Sequence, residues 1–169
     1  MEARNSRKLL YFYLLASSFL FAGFNSVALA ESLISDQPYL TLASNTFVFN
    51  PRNLTWTALS NGKVIKSGKA IGGSRYCRDI GRSCKTPTGT YRVYSKGGAG
   101  CRSSRYPVGR GGAKMPYCMF FAKNYAVHGS YEMPNYNASH GCIRVQPDAA
   151  RWLNQNFMQI GTTVIVKPY

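Results

Sequence analysis

Asn61-Gly62 stands between two runs rich in β-branched and aromatic residues, Thr55-Trp56-Thr57-Ala58-Leu59 and Val64 to Ala70. Both turn residues tolerate positive φ, so the dipeptide favours a two-residue hairpin whose twist matches antiparallel strands. In the second run Val64, Lys66 and Gly68 alternate with Ile65, Ser67 and Lys69, as in a strand with two unlike faces. Further short runs of the same character predict strands over Thr46–Phe49, Gly89–Ser95, Tyr117–Ala122, Tyr125–His128 and Thr162–Lys167. The run at Gly89 is entered through the turn Pro87-Thr88-Gly89. Helical periodicity occurs once. Pro147 suits a first helical position, Asp148 the positive end of the helix dipole, and Ala149, Trp152, Leu153 and Phe157 share one face before Gly161. Many short strands with one late helix predict a mainly β fold, a small sandwich or barrel-like domain. The sequence has no internal repeat and no low-complexity tract.

Residues 1–30 have the pattern of an export signal. Arg4, Arg7 and Lys8 form a positive start, Leu9 to Phe24 is mostly apolar, and Ala28-Leu29-Ala30 is a small-x-small cleavage site. An uncleaved anchor is the competing reading, but Asn25, Ser26 and the Ala-x-Ala site favour cleavage before Glu31. No cysteine lies at that site, which argues against lipid attachment. The expected organisation is therefore a signal peptide over 1–30, a linker over 31–44 and one domain over 45–169, a length that suits a single core. The whole chain carries a net charge of +15; removal of Arg4, Arg7, Lys8 and Glu2 leaves +13. Such a balance calls for an anionic partner. For an exported protein, an acidic wall polymer fits better than nucleic acid, and no membrane association is expected after cleavage.

Five cysteines follow the leader. Cys77, Cys84, Cys101 and Cys118 allow two disulfides in an oxidising compartment, with three connectivities. Cys77–Cys84 and Cys101–Cys118 are favoured, because each ties off one loop flanking a predicted strand. The spacings lack the close Cys-x-x-Cys pairs of a zinc site, so no metal or other cofactor is expected. Within the second loop Arg102, Arg105, Arg110 and Lys114 stand among glycines. They read either as a solvated surface or as a flexible cationic wall for carboxylate ligands.

Cys142 is the odd thiol, and it lies in Ser139-His140-Gly141-Cys142-Ile143-Arg144. The only two histidines are His140 and His128, the latter in His128-Gly129-Ser130. A thiol attacks as thiolate and needs a base or a positive field; imidazole is the usual base. Gly141 removes a side chain just before the thiol, so backbone N–H groups can approach an oxyanion. A structural Cys beside a core His is the plain alternative, made less attractive by the gathering of both histidines and the unpaired thiol in two short motifs. Spacing alone does not choose the base, since His140 and Cys142 would share a face of an extended segment.

His-Gly followed by Ser-His-Gly-Cys-x-Arg resembles the active-site pattern of L,D-transpeptidases, the YkuD-type domain that remodels peptidoglycan. Thr86-Pro87-Thr88-Gly89-Thr90-Tyr91 also matches a segment upstream in these enzymes, and the resemblance covers roughly residues 45–167. The spacer 129–138 is shorter than is usual there, which bears on the segment between the motifs. The resemblance implies a mainly β fold and an enzyme of the periplasm or cell wall acting on peptidoglycan stem peptides. Cys142 would be the nucleophile and His128 the base, oriented by the carbonyl of Gly129. The N–H groups of Gly141 and Cys142 would form an oxyanion hole shaped by His140. Arg144 would hold a donor carboxylate or brace the turn, and Ser139, grouped with it as a substrate contact, suits a turn-stabilising hydroxyl better than a catalytic one. The acceptor could be a stem amine, a lipoprotein lysine, a D-amino acid or water. Two rivals differ in class. In a papain-like wall peptidase the Cys normally precedes the His, and a non-catalytic wall-binding module leaves the free thiol without a purpose.

Overall fold

The computed structural model describes residues 44–106 and 112–169. The expected leader, nearly all of the linker, and Arg110 lie outside the described residues. Among the described residues nine strands form: β1 (Asn45–Asn50), β2 (Thr55–Ser60), β3 (Lys63–Ile71), β4 (Gly89–Arg92), β5 (Ser95–Lys96), β6 (Met119–Ala122), β7 (Tyr125–Gly129), β8 (Ile143–Val145) and β9 (Thr163–Val166). A short helix α1 (Pro147–Trp152) runs into a wider turn over Leu153–Phe157. The fold is mainly β with one late helix, as the sequence predicts. Among the described residues no helix is long and apolar enough to cross a membrane.

The strands lie in the order β4-β9-β1-β2-β3-β8-β7-β6-β5. Asn61 and Gly62 take φ of 50° and 77°, as the β2–β3 hairpin requires. Strand β3 serves two neighbours: Lys63–Lys69 pairs with β2, and Ala70 and Ile71 pair with β8. The run Gly89–Ser95, expected to be one strand, is interrupted at Val93 and Tyr94, and the interruption closes the sheet. Val93 N–H donates to Thr162 O at one end of the strand order, and Tyr94 N–H donates to Phe120 O at the other, both at 2.9 Å. Successive N–H groups of an extended chain point to opposite sides, so two residues join the two ends. Tyr91 and Phe121 meet across that closure with ring centroids 5.5 Å apart.

The larger of two apolar clusters fills the interior, drawn from β1–β3, β6–β9 and the helical segment, and a smaller one gathers Met115, Cys118 and Ala126. At its centre Trp56 stacks on Phe47 at 6.0 Å and on Trp152 at 6.4 Å. Gly68 makes room for it, since a Cβ there would lie 2.8 Å from Trp56 Nε1. Truncating Trp56 to Ala should cost about 3–5 kcal/mol, the usual range for a buried aromatic. The helix buries Ala149 and Ala150 and the wider turn after it Leu153 and Phe157, with Trp152 partly covered. It packs on β7 and so backs the strand that ends at His128 and Gly129. The disulfides are Cys77–Cys84 and Cys101–Cys118, and Cys142 is free. Strand β8 was not legible in the sequence: three residues directly after Cys142 pair with β7 and β3.

Candidate active site

Strands β7 and β8 run parallel, with Val127 opposite Ile143 and His128 opposite Arg144. Cys142 enters β8 alongside Ala126, so the sheet register itself brings the two motifs together. The turn Ser139–Cys142 is held from several sides. Ser139 N–H donates to Gly72 O at 3.0 Å, and Ser74 N–H donates to Ser139 O at 2.8 Å. The Ser139 hydroxyl donates to Cys142 O at 2.5 Å and accepts the Gly141 N–H at 3.0 Å. Gly141 has φ of 121°, and a Cβ there would lie 2.3 Å from Tyr125 Cε1, so only glycine fits.

His128 is 5% exposed, and its Nδ1 lies 2.9 Å from Gly129 O. A carbonyl only accepts, so Nδ1 carries the proton and Nε2 keeps its lone pair. Burial lowers the His128 pKa to about 4; the Gly129 bond opposes this and the Arg144 cation adds to it. Burial raises the Cys142 thiol, against the opposite pull of a backbone hydrogen bond from Ala126 and of Arg144. Its sulfur also lies 3.8 Å from Asn124 O. Both shifts favour the neutral forms, so the resting pair is imidazole and thiol, not a preformed ion pair.

His140 lies in a different setting. Its Nε2 is 2.7 Å from Asp79 Oδ2, and its ring stacks on Tyr106 with centroids 4.4 Å apart. The carboxylate accepts, which places a proton on Nε2. Asp79 belongs to the loop closed by Cys77–Cys84 and Tyr106 to the loop closed by Cys101–Cys118. Both disulfide loops therefore converge on His140. Cys77, Cys84 and His140 lie close enough to suggest metal ligands. The two sulfurs are bonded to each other, so the trio has no thiolate to offer an ion.

These groups face a cleft of about 590 Å³ that includes His128, His140, Cys142 and Arg144. Among the described residues Arg82, Arg102, Arg105, Lys114 and Lys123 also line it, against one carboxylate, Glu132. Arg144 Nη1 lies 3.3 Å from Glu132 Oε2.

The chain matches the YkuD family, the L,D-transpeptidase catalytic domain, over residues 44–166. It belongs to that family. Solved structures agree. An L,D-transpeptidase of Xylanimonas cellulosilytica is 32% identical with a TM-score of 0.64, covering 73% of this chain and 60% of its own. One from Mycobacterium smegmatis shares 23% identity at a TM-score of 0.60, over 75% of this chain and 59% of its own. L,D-transpeptidase 3 of Mycobacterium tuberculosis, solved with a faropenem-derived adduct, shares 21% at 0.58, over 75% and 61%. At these lower identities the likeness is one of fold. The chain spans about three fifths of the length of these solved relatives. No curated protein matches it.

Within this L,D-transpeptidase domain His128, Gly129, Ser139, His140, Cys142 and Arg144 line one cleft, with Gly141 in the turn beside it. Ser139 is 1% exposed and its hydroxyl is engaged inside the turn, the turn-stabilising place expected of it. The Gly141 N–H is held by Ser139 instead of facing an open oxyanion position. His140 is tied to Asp79 and Tyr106, two residues outside the motifs singled out from the sequence. Asp79 had one available signal: it is among only six acidic residues and sits two positions after Cys77.

Proposed function

We propose that the chain is an exported L,D-transpeptidase that forms a thioester on Cys142. The observation that carries this reading is the pairing of a free thiol at the start of β8 with a buried His128 whose Nδ1 is anchored to Gly129 O. That anchor performs the orienting task that a carboxylate performs in other triads. The free Nε2 can take a proton, and a neutral resting imidazole is ready to do so.

In the first half-reaction His128 removes the Cys142 proton as sulfur attacks the carbonyl carbon between the third stem residue and D-alanine. The oxyanion is met by the Cys142 N–H, joined by Gly141 only where that group leaves Ser139. One such donor is typically worth about 3 kcal/mol of barrier. The C–N bond breaks, the imidazolium returns its proton to the departing amine, and a thioester remains. In the second half-reaction an acceptor amine attacks that carbonyl and gives its proton to His128. The C–S bond breaks, and sulfur recovers the proton as thiol. Arg144 and the cations along the cleft suit stem carboxylates, which supports peptidoglycan as the substrate. Residues 1–30, with their export pattern, support action in the periplasm or cell wall.

Incubation with peptidoglycan sacculi followed by muropeptide mass spectrometry tests the reading. New 3→3 cross-links, exchanged fourth residues or attached lipoprotein identify a transpeptidase and its acceptor. Shortened stems alone identify an L,D-carboxypeptidase, and unchanged muropeptides with retained binding identify a wall-binding module.

A further inference from the structure

Thr86 is a polar side chain only 1% exposed, set between the Cys77–Cys84 loop and β4. Its hydroxyl donates to Gly141 O at 2.8 Å and accepts the Gly73 N–H at 3.0 Å. Its own N–H donates to the Tyr169 hydroxyl at 2.9 Å. The single hydroxyl proton of Thr86 is thus directed at the carbonyl of the peptide joining Gly141 to Cys142. In a trans peptide the carbonyl and the N–H point in opposite directions. A carbonyl held by Thr86 therefore aims the Cys142 N–H away from Thr86, and Cys142 is a residue of the cleft lining.

Glycine makes this bond matter. Gly141 must lack a side chain to pass Tyr125, and the same lack leaves its flanking peptides free to rotate. Ser139 fixes the neighbouring groups, Gly141 N–H and Cys142 O, but not the carbonyl between them. Resting on the reading of Cys142 as the acylated nucleophile, we propose that Thr86 is a positioning residue. Its hydroxyl locks the Gly141–Cys142 peptide so that the Cys142 N–H serves as the oxyanion donor.

The test compares two reactions of one thiol. Acylation by a penem or a tetrapeptide donor passes through an oxyanion, whereas alkylation by iodoacetamide displaces iodide at a saturated carbon and forms none. Thr86→Val keeps the shape and removes the hydroxyl. Loss of one oxyanion donor lowers rates by 10²–10³-fold in known cases, so a misaimed one should slow acylation by roughly 10–100-fold. Alkylation should stay within about twofold of the parent, and Thr86→Ser should restore acylation. Tyr169→Phe removes the phenol oxygen that accepts the Thr86 N–H and flanks its side chain; it should lower acylation several-fold and spare alkylation, and it stands in if Thr86→Val fails to fold. Acylation unchanged in these variants, or acylation and alkylation falling in parallel, overturns the positioning role while leaving the nucleophile assignment intact. A parent protein that alkylates at Cys142 but forms no acyl adduct overturns both.

Discussion

The end of β7 and the turn before β8 each present a histidine to the same cleft, and the two are built in opposite ways. His128 is buried, held by a backbone carbonyl and flanked by an arginine, with no carboxylate bonded to it. His140 is partly exposed, bonded to Asp79 and stacked on Tyr106. Burial keeps the first neutral, with a free lone pair on Nε2. The second donates its Nε2–H to a carboxylate, which fixes its ring. The difference separates the work: a base needs a lone pair, and a group that shapes a turn needs anchors. Spacing along the chain leaves the choice of base open; the two environments support His128 as the base in the proposed reaction.

The strongest way to break this comparison is to remove each ring in turn. His128→Ala should slow acylation of Cys142 by about 10²–10⁴-fold, the usual range for general-base assistance. His140→Ala should slow it by about tenfold through turn geometry, a loss on the scale of one modest hydrogen bond. Stopped-flow acylation with a penem reads both, and the reverse order would exchange the two roles.

Acidity sharpens the contrast. The unfolded chain protonates His128 near pH 6.5, but the folded chain does so only near the value of about 4. Protons bind the unfolded state more strongly between these values, so stability is full above pH 6.5 and falls as pH drops toward 4. The loss should be about 3 kcal/mol for a shift of this size. Urea titrations at pH 7 and pH 4.5 measure it, and His128→Gln should flatten much of the slope. Acylation should likewise persist below pH 6, without the decline that an unperturbed imidazole would impose.

Smaller effects are expected at the anchors of His140. Asp79→Asn keeps the shape but turns a charged acceptor into a neutral one, and should slow acylation by only about two- to fivefold, as exposed pairs contribute under about 1 kcal/mol. The least is expected of Arg102 and Arg105. Their replacement by Gln should weaken sacculus binding and flatten its salt dependence, since exposed charges are screened beyond about 8 Å at physiological ionic strength. Unchanged binding in low salt would make them simple surface charges.

Much of this was readable in the chain because it rests on local chemistry. Asn61-Gly62 fixes a hairpin by its own φ preferences, and Pro147 with Asp148 marks a helix start. Of the three connectivities the four cysteines allow, the favoured one, with each bridge tying off a loop flanking a predicted strand, is the one formed. What escaped the sequence depends on contacts between distant segments. Strand β8 is three residues long and owes its form to partners on both sides, β3 and β7. The break at Val93-Tyr94 arises from sheet closure, which no local pattern encodes. Thr86 was legible as part of a motif, but its bond to Gly141, 55 positions away, was not. The same is true of Asp79, joined to His140 across 61 positions.

Intact-mass analysis after exposure to a penem tests the central assignment most directly, with the parent, Cys142→Ser and His128→Ala proteins compared under non-reducing conditions. The parent should gain one acyl adduct, mapped by peptide digestion to Cys142. Cys142→Ser should gain none, and His128→Ala should gain it far more slowly while remaining folded. An adduct on Cys142→Ser, or full-rate acylation without His128, would contradict a thioester enzyme built on these two residues.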